Sequence, residues 1–358
     1  MRSDEYYIEK TFELARRAEG STAPNPLVGC IIVKNDRVVS WGFHRKAGLP
    51  HAEIEALNRA KERAKNATLF VNLEPCCHWG RTPPCVDRII SAGIKRVVIA
   101  AKDPNPQGKG ASIKKLMQAG IKVKVGVLGK QAKNLNEVFF KNMKDKRPFV
   151  AAKIAQTLDG KIANVRGESQ WITSQQARKY ARNLRALYDA ALVGINTVNK
   201  DNPRLTSKKK LVKIVLDANL KISSNARLFK EAKEVFIFAK KDIGRKRINV
   251  LKNKAKVIKL EYSSRGFDLN KVLKIIYSYG ITSIFVEGGS FTLGRFFNTK
   301  LVDKVYVFVS PKIMGKSNAL DSIGGEGNIS INNLTRIDSI NIERIGEDFL
   351  ITGYPRFK

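Results

Sequence analysis

The chain has 358 residues, which exceeds the length of one typical domain and predicts two domains. It carries 66 Lys and Arg against 32 Asp and Glu, a formal net charge of +34, and such an excess favours a nucleic-acid partner. The lysines, however, are spread through almost every segment and form no single stripe interleaved with aromatic residues. We therefore expect no nucleic acid as the primary partner, whereas phosphorylated substrates would benefit from the positive field.

No apolar run approaches the length of a membrane span, and the opening residues MRSDEYYIEK lack the apolar core of a signal peptide. Four cysteines, two of them assigned below to a metal, are typical of a reducing compartment rather than of a disulfide framework. We expect a cytoplasmic protein with no membrane partner. The sequence does not fix the oligomeric state, and a homo-oligomer is compatible with it.

The segment PNPLVGCIIVKNDRVVSWGF predicts a turn, a strand, a second turn and a second strand. Asn25 lies between two prolines in a rigid loop, where it either presents its amide to a ring or simply forms the turn. Cys30, in the first strand, is interpreted as a small core residue. His44, after the second strand, is interpreted either as a substrate contact or as a surface residue.

The segment HAEIEALNRAKERA has the apolar spacing of a helix packed on a sheet, with His51 at its N-terminus and Glu53 on its first turn. The apolar run TLFVNL predicts a strand, and Cys76 lies just beyond its end. A helix-like run, CVDRIISAG, begins at Cys85. Two helix N-termini therefore present the metal-capable side chains, and their partial positive charge favours the thiolate forms.

One imidazole and two thiolates, from His51, Cys76 and Cys85, give a tetrahedral zinc ion three protein ligands and leave the fourth position for water. Glu53 is the base that such a water needs. Attack of the resulting hydroxide on an amino-bearing ring carbon, with loss of ammonia, is the zinc deaminase reaction. The usual second cysteine stands three positions after the first, whereas eight residues separate the two here.

Two neighbours of this constellation have less specific interpretations. Cys77 adjoins Cys76 and cannot easily aim at the same ion, so we interpret it as a packed neighbour of the site. His78 is either a substrate contact or a surface residue. The alternative to a metal site, a buried helix-start histidine with unrelated cysteines, has to explain why one of only three histidines precedes Ala-Glu.

A break near KNMKDKRP follows the helix-like run KQAKNLNEVFFKNM and divides the chain into predicted domains 1–146 and 147–358. Beyond it, short apolar strands alternate with helices, which indicates an α/β sheet. PFVAAKIAQTLDGKIA predicts a strand and a turn at Asp159 and Gly160. SQQARKYARNLRALY predicts an amphipathic helix with Ser174 as N-cap. Further predicted strands are DAALVGINTV, KIVLDA, EVFIFAK, SIFVEGG and KVYVFVSPKIMG.

The segment SIFVEGGSFTLGRFF predicts a strand that ends at Glu287, a tight turn at Gly288 and Gly289, and a helix. Backbone N–H groups at such a turn bind a phosphate or pyrophosphate. The spacing is not G-x-G-x-x-G, so a glycine turn without a ligand remains the alternative. Arg185 either holds a phosphate or pairs with a surface carboxylate, and Trp171 either covers a flat ring or belongs to the core.

Eight motifs, in order along nearly the whole chain, resemble those of the bifunctional riboflavin-biosynthesis deaminase/reductase family: PNPLVGCIIV, HAE, EPCCHWGRTPPC, DPNPQGKG, LDGKIA, GESQWITS, DNPRLT and VEGGS. The resemblance implies an α/β fold with an N-terminal cytidine-deaminase-like three-layer domain and a C-terminal dihydrofolate-reductase-like domain. It implies hydrolysis of the 2-amino group of diaminohydroxyphosphoribosylaminopyrimidine, a phosphorylated pyrimidine, and then reduction of the ribosyl chain to ribityl. The implied cofactors are Zn2+ and NADPH.

The resemblance also implies the site residues. The zinc ligands are His51, Cys76 and Cys85, and Glu53 moves protons. The deaminase substrate positions are Asn25, Arg81, Thr82, Asp103 and Asn105. The cofactor positions of the reductase are Ala155, Trp171, Thr197, Asp201, Gly289, Ser290, Phe291, Thr292, Leu293, Gly294 and Arg295. The reductase substrate positions are Ser169, Arg185, Leu205, Lys208 and Glu287.

This chain departs from the family pattern at two positions. Lys208 stands where an arginine is frequent, and a lysine neutralises phosphate without bidentate hydrogen bonding, so weaker binding of the reductase substrate is expected. Ala218 stands where a hydroxyl residue is common, which removes one expected cofactor contact.

Two other classes of protein compete with this reading. A tRNA or nucleoside deaminase could use the positive charge to hold RNA, but it would have C-x-x-C and would leave the C-terminal half without a role. A non-enzymatic RNA-binding protein with structural zinc would close the ion with four ligands rather than three.

Overall fold

The computed structural model describes residues 2–77, 79, 83–105, 108–315, 317–325 and 330–358. The chain divides into two compact units, Met1–Lys146 and Arg147–Lys358. The predictions for His78, Arg81 and Thr82 concern residues outside the described ranges.

The N-terminal unit alternates helices and strands. Its helices are α1 (Asp4–Arg16), α2 (Ala52–Ala60), α3 (Cys85–Ser91), α4 (Ala111–Gln118), α5 (Gly129–Leu135) and α6 (Glu137–Asp145), with a 3-10 helix at Lys61–Ala64. Its strands are β1 (Gly29–Lys34), β2 (Arg37–Phe43), β3 (Thr68–Leu73), β4 (Arg96–Ala101) and β5 (Lys122–Val125).

These five strands form one sheet in the order β2-β1-β3-β4-β5. The β1 strand pairs antiparallel with β2 and with β3, whereas β3, β4 and β5 are parallel. One face packs against α2, α3 and α4 through a core that includes Ile32 and Leu69, and the other packs against α1, α5 and α6 through Ile31 and Phe70. Both faces of the sheet are covered, as buried parallel strands require, which gives three layers.

The C-terminal unit is also α/β. Its helices are α7 (Gln175–Arg185), α8 (Ile195–Asp201), α9 (Arg245–Leu251), α10 (Leu269–Ser278) and α11 (Ser290–Asn298), with 3-10 helices at Arg227–Phe229 and Ile331–Asn333. Its strands are β6 (Phe149–Thr157), β7 (Lys161–Ala163), β8 (Ala190–Gly194), β9 (Val212–Leu216), β10 (Glu234–Lys240), β11 (Lys256–Leu260), β12 (Tyr262–Ser263), β13 (Gly266–Phe267), β14 (Ser283–Val286), β15 (Lys304–Ser310), β16 (Leu320–Asp321), β17 (Arg336–Ile345) and β18 (Asp348–Arg356).

Nine of these strands form one sheet in the order β11-β10-β9-β8-β14-β6-β15-β18-β17. The seven from β11 to β15 are parallel, and β18 and β17 complete the edge as an antiparallel pair. Helices α10 and α11 cover one face with residues such as Leu273 and Phe296, while Val198 of α8 and Leu251 of α9 belong to the core on the other. The carboxyl ends of the parallel strands therefore meet at one edge, where open α/β sheets bind their ligands.

The segments TLFVNL, CVDRIISAG and EVFIFAK adopt the predicted structure, and Ser174 caps α7 by accepting from Ala177 N at 3.2 Å. The prediction for DAALVGINTV is wrong in its second half, because the strand ends at Gly194 and α8 follows. The run KQAKNLNEVFFKNM forms two helices rather than one. The predicted strand through Glu287 ends one residue earlier, at Val286.

Candidate functional site

The side chains of His51, Cys76 and Cys85 converge, and their potential ligand atoms all lie within 4.8 Å of one another. The Nδ1 atom of His51 is 3.2 Å from the Cys85 sulfur and 3.5 Å from the Cys76 sulfur. A tetrahedral zinc ion with bonds of about 2.0 Å to nitrogen and about 2.3 Å to sulfur spaces its ligands by about 3.5 Å. The donor atoms and their spacing therefore fit zinc, as the sequence predicted.

Helix starts position these ligands. His51 is the N-cap of α2, in an extended backbone conformation, and Cys85 is the first residue of α3. The backbone N–H of Cys85 donates to the Cys76 sulfur at 3.3 Å, and Val86 N donates to the Cys76 carbonyl at 3.3 Å. A hydrogen bond from the Cys85 thiol, with the neighbouring His51 ring, lowers the pKa of Cys76 to about 4. The first turn of α3 thus stabilises a thiolate on the loop after β3.

Glu53 lies on the first turn of α2 and is only 3% exposed. Burial raises the pKa of its carboxyl to about 7, while the nearby His51 opposes that rise and the Cys85 side chain hydrogen-bonds to it. A buried carboxyl in contact with a metal-ligand side chain is positioned to exchange protons at that centre. The structure therefore places Glu53 beside the three ligands, where the sequence expected it.

His44 is buried, with 2% exposure, so the surface alternative for this residue is wrong. Its Nδ1 atom is 3.1 Å from the Pro50 carbonyl, and its Nε2 atom is 3.0 Å from the Asn25 amide nitrogen. A carbonyl only accepts, so Nδ1 carries the proton and Nε2 accepts from Asn25. Because the side-chain amide nitrogen of Asn25 donates to His44, its side-chain oxygen Oδ1 is the atom that can accept from a ligand.

The other two cysteines have the environments that the sequence indicated. Cys30 is fully buried in the core of the sheet face that carries α2, and Cys77 is half-buried and packs against the same core. Burial raises the pKa of both thiols. All four cysteines are free of disulfides.

Asp103 and Asn105 lie in the loop after β4 and are organised by a residue that the sequence analysis missed. Glu74, directly after β3, accepts from Asp103 N at 3.0 Å, from Gly110 N at 3.1 Å and from the Ser112 hydroxyl at 2.7 Å. Asp103 in turn accepts from Asn105 N at 2.8 Å. The available signal was a carboxylate directly after a buried strand and two residues before a metal ligand, where burial demands donors.

The C-terminal unit contains a cavity of about 1280 Å³ at the carboxyl ends of its parallel strands. Most of the reductase positions that the sequence indicated line this cavity: Ala155, Ser169, Trp171, Arg185, Thr197, Asp201, Leu205, Ala218, Glu287, Gly289, Ser290, Phe291, Thr292, Leu293 and Arg295. Lys208 is exposed and, like Gly294, is not among the lining residues. The cavity is large enough for two ligands of nucleotide size, since typical ligand sites measure about 300–1,000 Å³.

The glycine turn after β14 forms one wall of the cavity. Gly289 is the N-cap of α11, and its N–H donates to the Thr197 hydroxyl at 3.0 Å. A Cβ atom on Gly288 would lie 2.5 Å from the Thr292 side chain, and one on Gly294 would lie 1.6 Å from the Gly324 carbonyl. Gly288 and Gly289 thus form a tight turn at the start of a helix, the arrangement that binds a phosphate or pyrophosphate, whereas Gly294 lets the 324 segment pack closely on α11. The donor set and the open cavity fit a dinucleotide cofactor such as NADPH.

Arg185 does not pair with a surface carboxylate. Its guanidinium makes a bidentate ion pair with the buried Glu287, with Nη2 to Oε2 at 2.8 Å, and it also donates to the Thr206 carbonyl. Lys153, which the sequence analysis did not single out, lines the same part of the cavity with its Nζ atom 4.0 Å from Glu287. Burial lowers the pKa of Lys153. Burial alone would raise the pKa of Glu287, but Arg185 and Lys153 hold it below its usual value.

Trp171 is 63% exposed, so the alternative that it belongs to the core is wrong. Its ring lines the cavity, with the Arg178 guanidinium 4.2 Å from the ring centroid. Nearby, the Ser169 hydroxyl donates to Asp201 at 2.9 Å. An exposed aromatic face beside polar groups is suited to covering a flat ring.

The family model described as RibD C-terminal domain matches residues 148–351, and a riboflavin biosynthesis protein RibD of Aquifex aeolicus is 43% identical over 355 residues, 97% of each chain. The chain belongs to the RibD family. A second model, described as cytidine and deoxycytidylate deaminase zinc-binding region, matches residues 1–101. The Escherichia coli RibD protein is 37% identical over 87% of this chain and 89% of its own.

Solved RibD structures have the same fold. A diaminohydroxyphosphoribosylaminopyrimidine deaminase/5-amino-6-(5-phosphoribosylamino)uracil reductase of Thermotoga maritima matches with a TM-score of 0.86 and 37% identity, over 99% of both chains. The RibD protein of Acinetobacter baumannii matches with a TM-score of 0.87 and 32% identity, over 99% of both chains. The expected fold is confirmed: a cytidine-deaminase-like unit followed by a dihydrofolate-reductase-like unit.

As a member of the RibD family, the chain is a bifunctional riboflavin-biosynthesis enzyme, a deaminase that uses zinc and a reductase that uses NADPH. The two competing readings, an RNA deaminase and a non-enzymatic RNA-binding protein, leave the matched RibD C-terminal domain unexplained. Within the described ranges, no helix is both long enough and apolar enough to cross a membrane.

Proposed function

We propose that the N-terminal unit hydrolyses the 2-amino group of diaminohydroxyphosphoribosylaminopyrimidine and that the C-terminal unit then reduces the ribosyl chain of 5-amino-6-(5-phosphoribosylamino)uracil to ribityl. The name of the Thermotoga maritima relative gives both activities, and its match with this chain covers 99% of both chains. The observation that carries the first half of the proposal is the convergence of two sulfurs and one nitrogen within 4.8 Å, beside a buried carboxyl.

In the deamination, His51, Cys76 and Cys85 would hold the zinc ion as its three protein ligands. When bound, zinc supplies a Lewis acid that brings the pKa of a water close to about 7. Glu53 accepts a proton from the attacking water and delivers it to the departing nitrogen, so that the amino group leaves as ammonia and the ring carbon gains oxygen.

Substrate binding in this unit uses fixed backbone and amide groups. Asn25 presents its carbonyl oxygen to the N–H groups of the pyrimidine, because His44 holds the amide nitrogen. Asp103 and Asn105 bind the remainder of the substrate from the loop that Glu74 anchors. Arg81 and Thr82, outside the described residues, complete the proposed contacts.

In the reduction, Gly289 and the first turn of α11 would hold the cofactor phosphates. Thr197, on the first turn of α8, and Asp201, its last residue, would face the cofactor. When bound, NADPH supplies a hydride for the ribosyl carbon that carries the amino nitrogen. Opening the sugar ring also requires a proton on the ring oxygen. We place that proton transfer at Lys153, whose ammonium lines the cavity 4.0 Å from Glu287, while Arg185 keeps Glu287 ionised.

The substrate for this second step lies against Ser169, Leu205 and Glu287, whereas Trp171, a cofactor position, covers one face of a cofactor ring. Lys208 contributes a positive charge for the phosphate from the end of the loop and not from the cavity wall. The cysteines, all reduced, are compatible with the cytoplasmic location that we propose.

The deciding experiment supplies the purified chain with one pyrimidine at a time. The diamino pyrimidine is expected to release ammonia without NADPH, and NADPH is expected to be consumed only when the deaminated pyrimidine is present or has been formed. Consumption of NADPH with the diamino compound before any ammonia appears would contradict the proposed order. Absence of both reactions would contradict the proposal as a whole.

A further inference from the structure

Lys213, in β9, is 1% exposed and is one of the largest fully buried side chains among the described residues. Its Nζ atom donates to three backbone carbonyls: Arg204 O at 2.9 Å, Leu228 O at 2.7 Å and Lys230 O at 2.6 Å. An ammonium group has three N–H donors and no acceptor, so each donor has a partner. Burial lowers the pKa of Lys213 to about 8.

The strand itself does not need an ammonium at this position. The neighbouring residues Val212, Ile214 and Val215 are apolar and buried, and an apolar side chain at position 213 would continue that pattern. Burial of a charge costs free energy unless hydrogen bonds compensate for it. The three carbonyls therefore indicate that the ammonium serves the segments from which they come.

Both of those segments line the reductase cavity. Arg204 belongs to the loop 203–206, and Arg227 opens the 3-10 helix that contains Leu228. A second bond joins the same two segments, because Arg227 N donates to the Asn202 side chain at 2.9 Å. Leu205 has a φ of 50°, a conformation that a leucine adopts only where its surroundings hold it. The loop 203–206 is therefore an anchored segment and not a relaxed one.

The far end of this loop reaches the reacting end of the cavity. The carbonyl of Thr206, two residues beyond Arg204, accepts from Arg185 Nη1. Arg185 in turn makes the bidentate ion pair with Glu287. The Lys213 ammonium is thus connected with the Glu287 carboxylate through the backbone from Arg204 to Thr206 and the hydrogen bonds at its two ends. Lys213 itself does not line the cavity.

We propose that Lys213 is a positioning residue for the reduction. Its ammonium holds the loop 203–206 in place from a position outside the cavity lining. Through the Thr206 carbonyl, this loop fixes the orientation of Arg185 and Glu287. Its effect falls on the pyrimidine rather than on NADPH, because Leu205 and Glu287 are proposed to face the pyrimidine, and α11, which holds the cofactor phosphates, has no bond to Lys213. This inference rests on the proposed reductase function.

The test compares Lys213→Met with Ile214→Ala, a control on the same strand. Ile214 is fully buried in the core on the opposite face of the sheet, so its truncation loosens the unit without touching the loop 203–206. For Lys213→Met we expect the KM for the deaminated pyrimidine to rise at least about tenfold, since small misplacements at a reacting centre have large kinetic effects. The Kd for NADPH, measured by protein fluorescence without pyrimidine, is expected to stay within about threefold of wild type in both variants.

A second measurement is independent of turnover. Hydrogen exchange of the backbone amides at 204–206 is expected to accelerate in Lys213→Met and to keep the wild-type rate in Ile214→Ala. If Lys213→Met does not fold, Lys213→Gln, which retains two N–H donors, takes its place with the same expected direction.

Three results would overturn the inference. The first is a pyrimidine KM within about threefold of wild type in the position-213 variant, and the second is a Kd for NADPH that rises as much as that KM. The third is unchanged exchange at 204–206. A wild-type enzyme that fails to reduce the pyrimidine would instead refute the proposed function, and the exchange comparison would still decide whether Lys213 anchors the loop.

Discussion

Arg185 and Glu287, 102 positions apart in the chain, form a buried bidentate ion pair in the wall of the C-terminal cavity. The side chains are 11% and 8% exposed, so neither charge is compensated by bulk water. Removing one partner of such a pair leaves an unpaired buried charge, which is far more costly than the pair itself is favourable. The pair therefore fixes Glu287 as an ionised group and orients it at the same time.

Replacing Arg185 with Ala should impair reduction while ammonia release stays near the wild-type rate. We also expect the free energy of unfolding of the C-terminal unit at pH 7 to fall by about 3–5 kcal/mol. Arg185→Lys keeps the charge without the bidentate geometry. Its rate of reduction and its free energy of unfolding should therefore lie between those of wild type and Arg185→Ala. Lys179→Ala, on the exposed side of the same helix, is the control and should leave both activities unchanged.

The stability effect of this pair has a defined pH dependence. The pKa of Glu287 in the folded protein lies below its usual value, so the pair stabilises the fold above the unfolded pKa. That contribution is lost as the pH falls through the folded pKa. Denaturant unfolding should therefore show that the difference in the free energy of unfolding between wild type and Arg185→Ala becomes smaller below about pH 4. A gap that stays constant down to pH 3 would contradict this assignment.

Replacing Glu53 with Gln should retain zinc and abolish ammonia release, because an amide cannot carry the proton between water and the leaving nitrogen. General acid–base catalysis of this kind contributes about 10²–10⁴-fold, and we expect a loss of at least that size. Elemental analysis measures the zinc and an ammonia assay measures the rate. Glu55→Gln, two residues along the same helix, is the control, since Glu55 binds Phe43 N, Arg45 and Arg59 and not the zinc ligands. Retained deamination in Glu53→Gln would remove Glu53 from its proposed role.

The metal site was predictable from the sequence because its chemistry needs rare residues at fixed points of regular elements. His51 and Cys85 begin two helices, and Cys76 follows a strand, so correct helix and strand starts sufficed to bring the three together. The same logic located the glycine turn before α11.

The reductase pairings were not predictable in the same way. Lys153 lies inside an apolar strand, where a single lysine indicates nothing about its partner, and its contact with Glu287 depends on the order of strands in the sheet. The role of Lys213 could not be predicted either, since the sequence does not reveal which backbone carbonyls accept hydrogen bonds from its ammonium. Local periodicity specifies which face of a strand is buried, but not which distant loop supplies a partner.

Replacing Cys85 with Ser should lower the zinc content and stop deamination, while reduction of the deaminated pyrimidine should continue. A serine hydroxyl is a poor substitute for a thiolate as a zinc ligand. Cys77→Ser is the matched control, because Cys77 is adjacent in sequence to one ligand and lies outside the converging set. Treatment of the wild-type enzyme with a chelator should reproduce the Cys85→Ser result, and readdition of zinc should restore ammonia release. Deamination by metal-free protein would refute the zinc assignment.

Replacing Gly294 with Ala should weaken NADPH binding, although Gly294 does not line the cavity. A Cβ at this position would lie 1.6 Å from the Gly324 carbonyl, so either α11 or the 324 segment must move. Overpacking of this kind costs about 1–3 kcal/mol in the free energy of unfolding. Gly244→Ala is the control, because a Cβ there meets nothing within 4 Å and φ is −66°. Thermal unfolding and the Kd for NADPH test the prediction, and equal values for the two variants would contradict it.

Cutting the chain after Lys146 should give two pieces that fold and act separately. Each hydrophobic core draws its residues from one unit, with Ile32 and Phe70 on one side of the cut and Phe296 and Leu251 on the other. The zinc ligands fall in the first piece and the cavity falls in the second. The first piece should release ammonia, and the second should oxidise NADPH when it is given the deaminated pyrimidine. The uncut chain at equal concentration is the control for both rates. Loss of either activity in a folded piece would show that the corresponding site needs residues from beyond the cut.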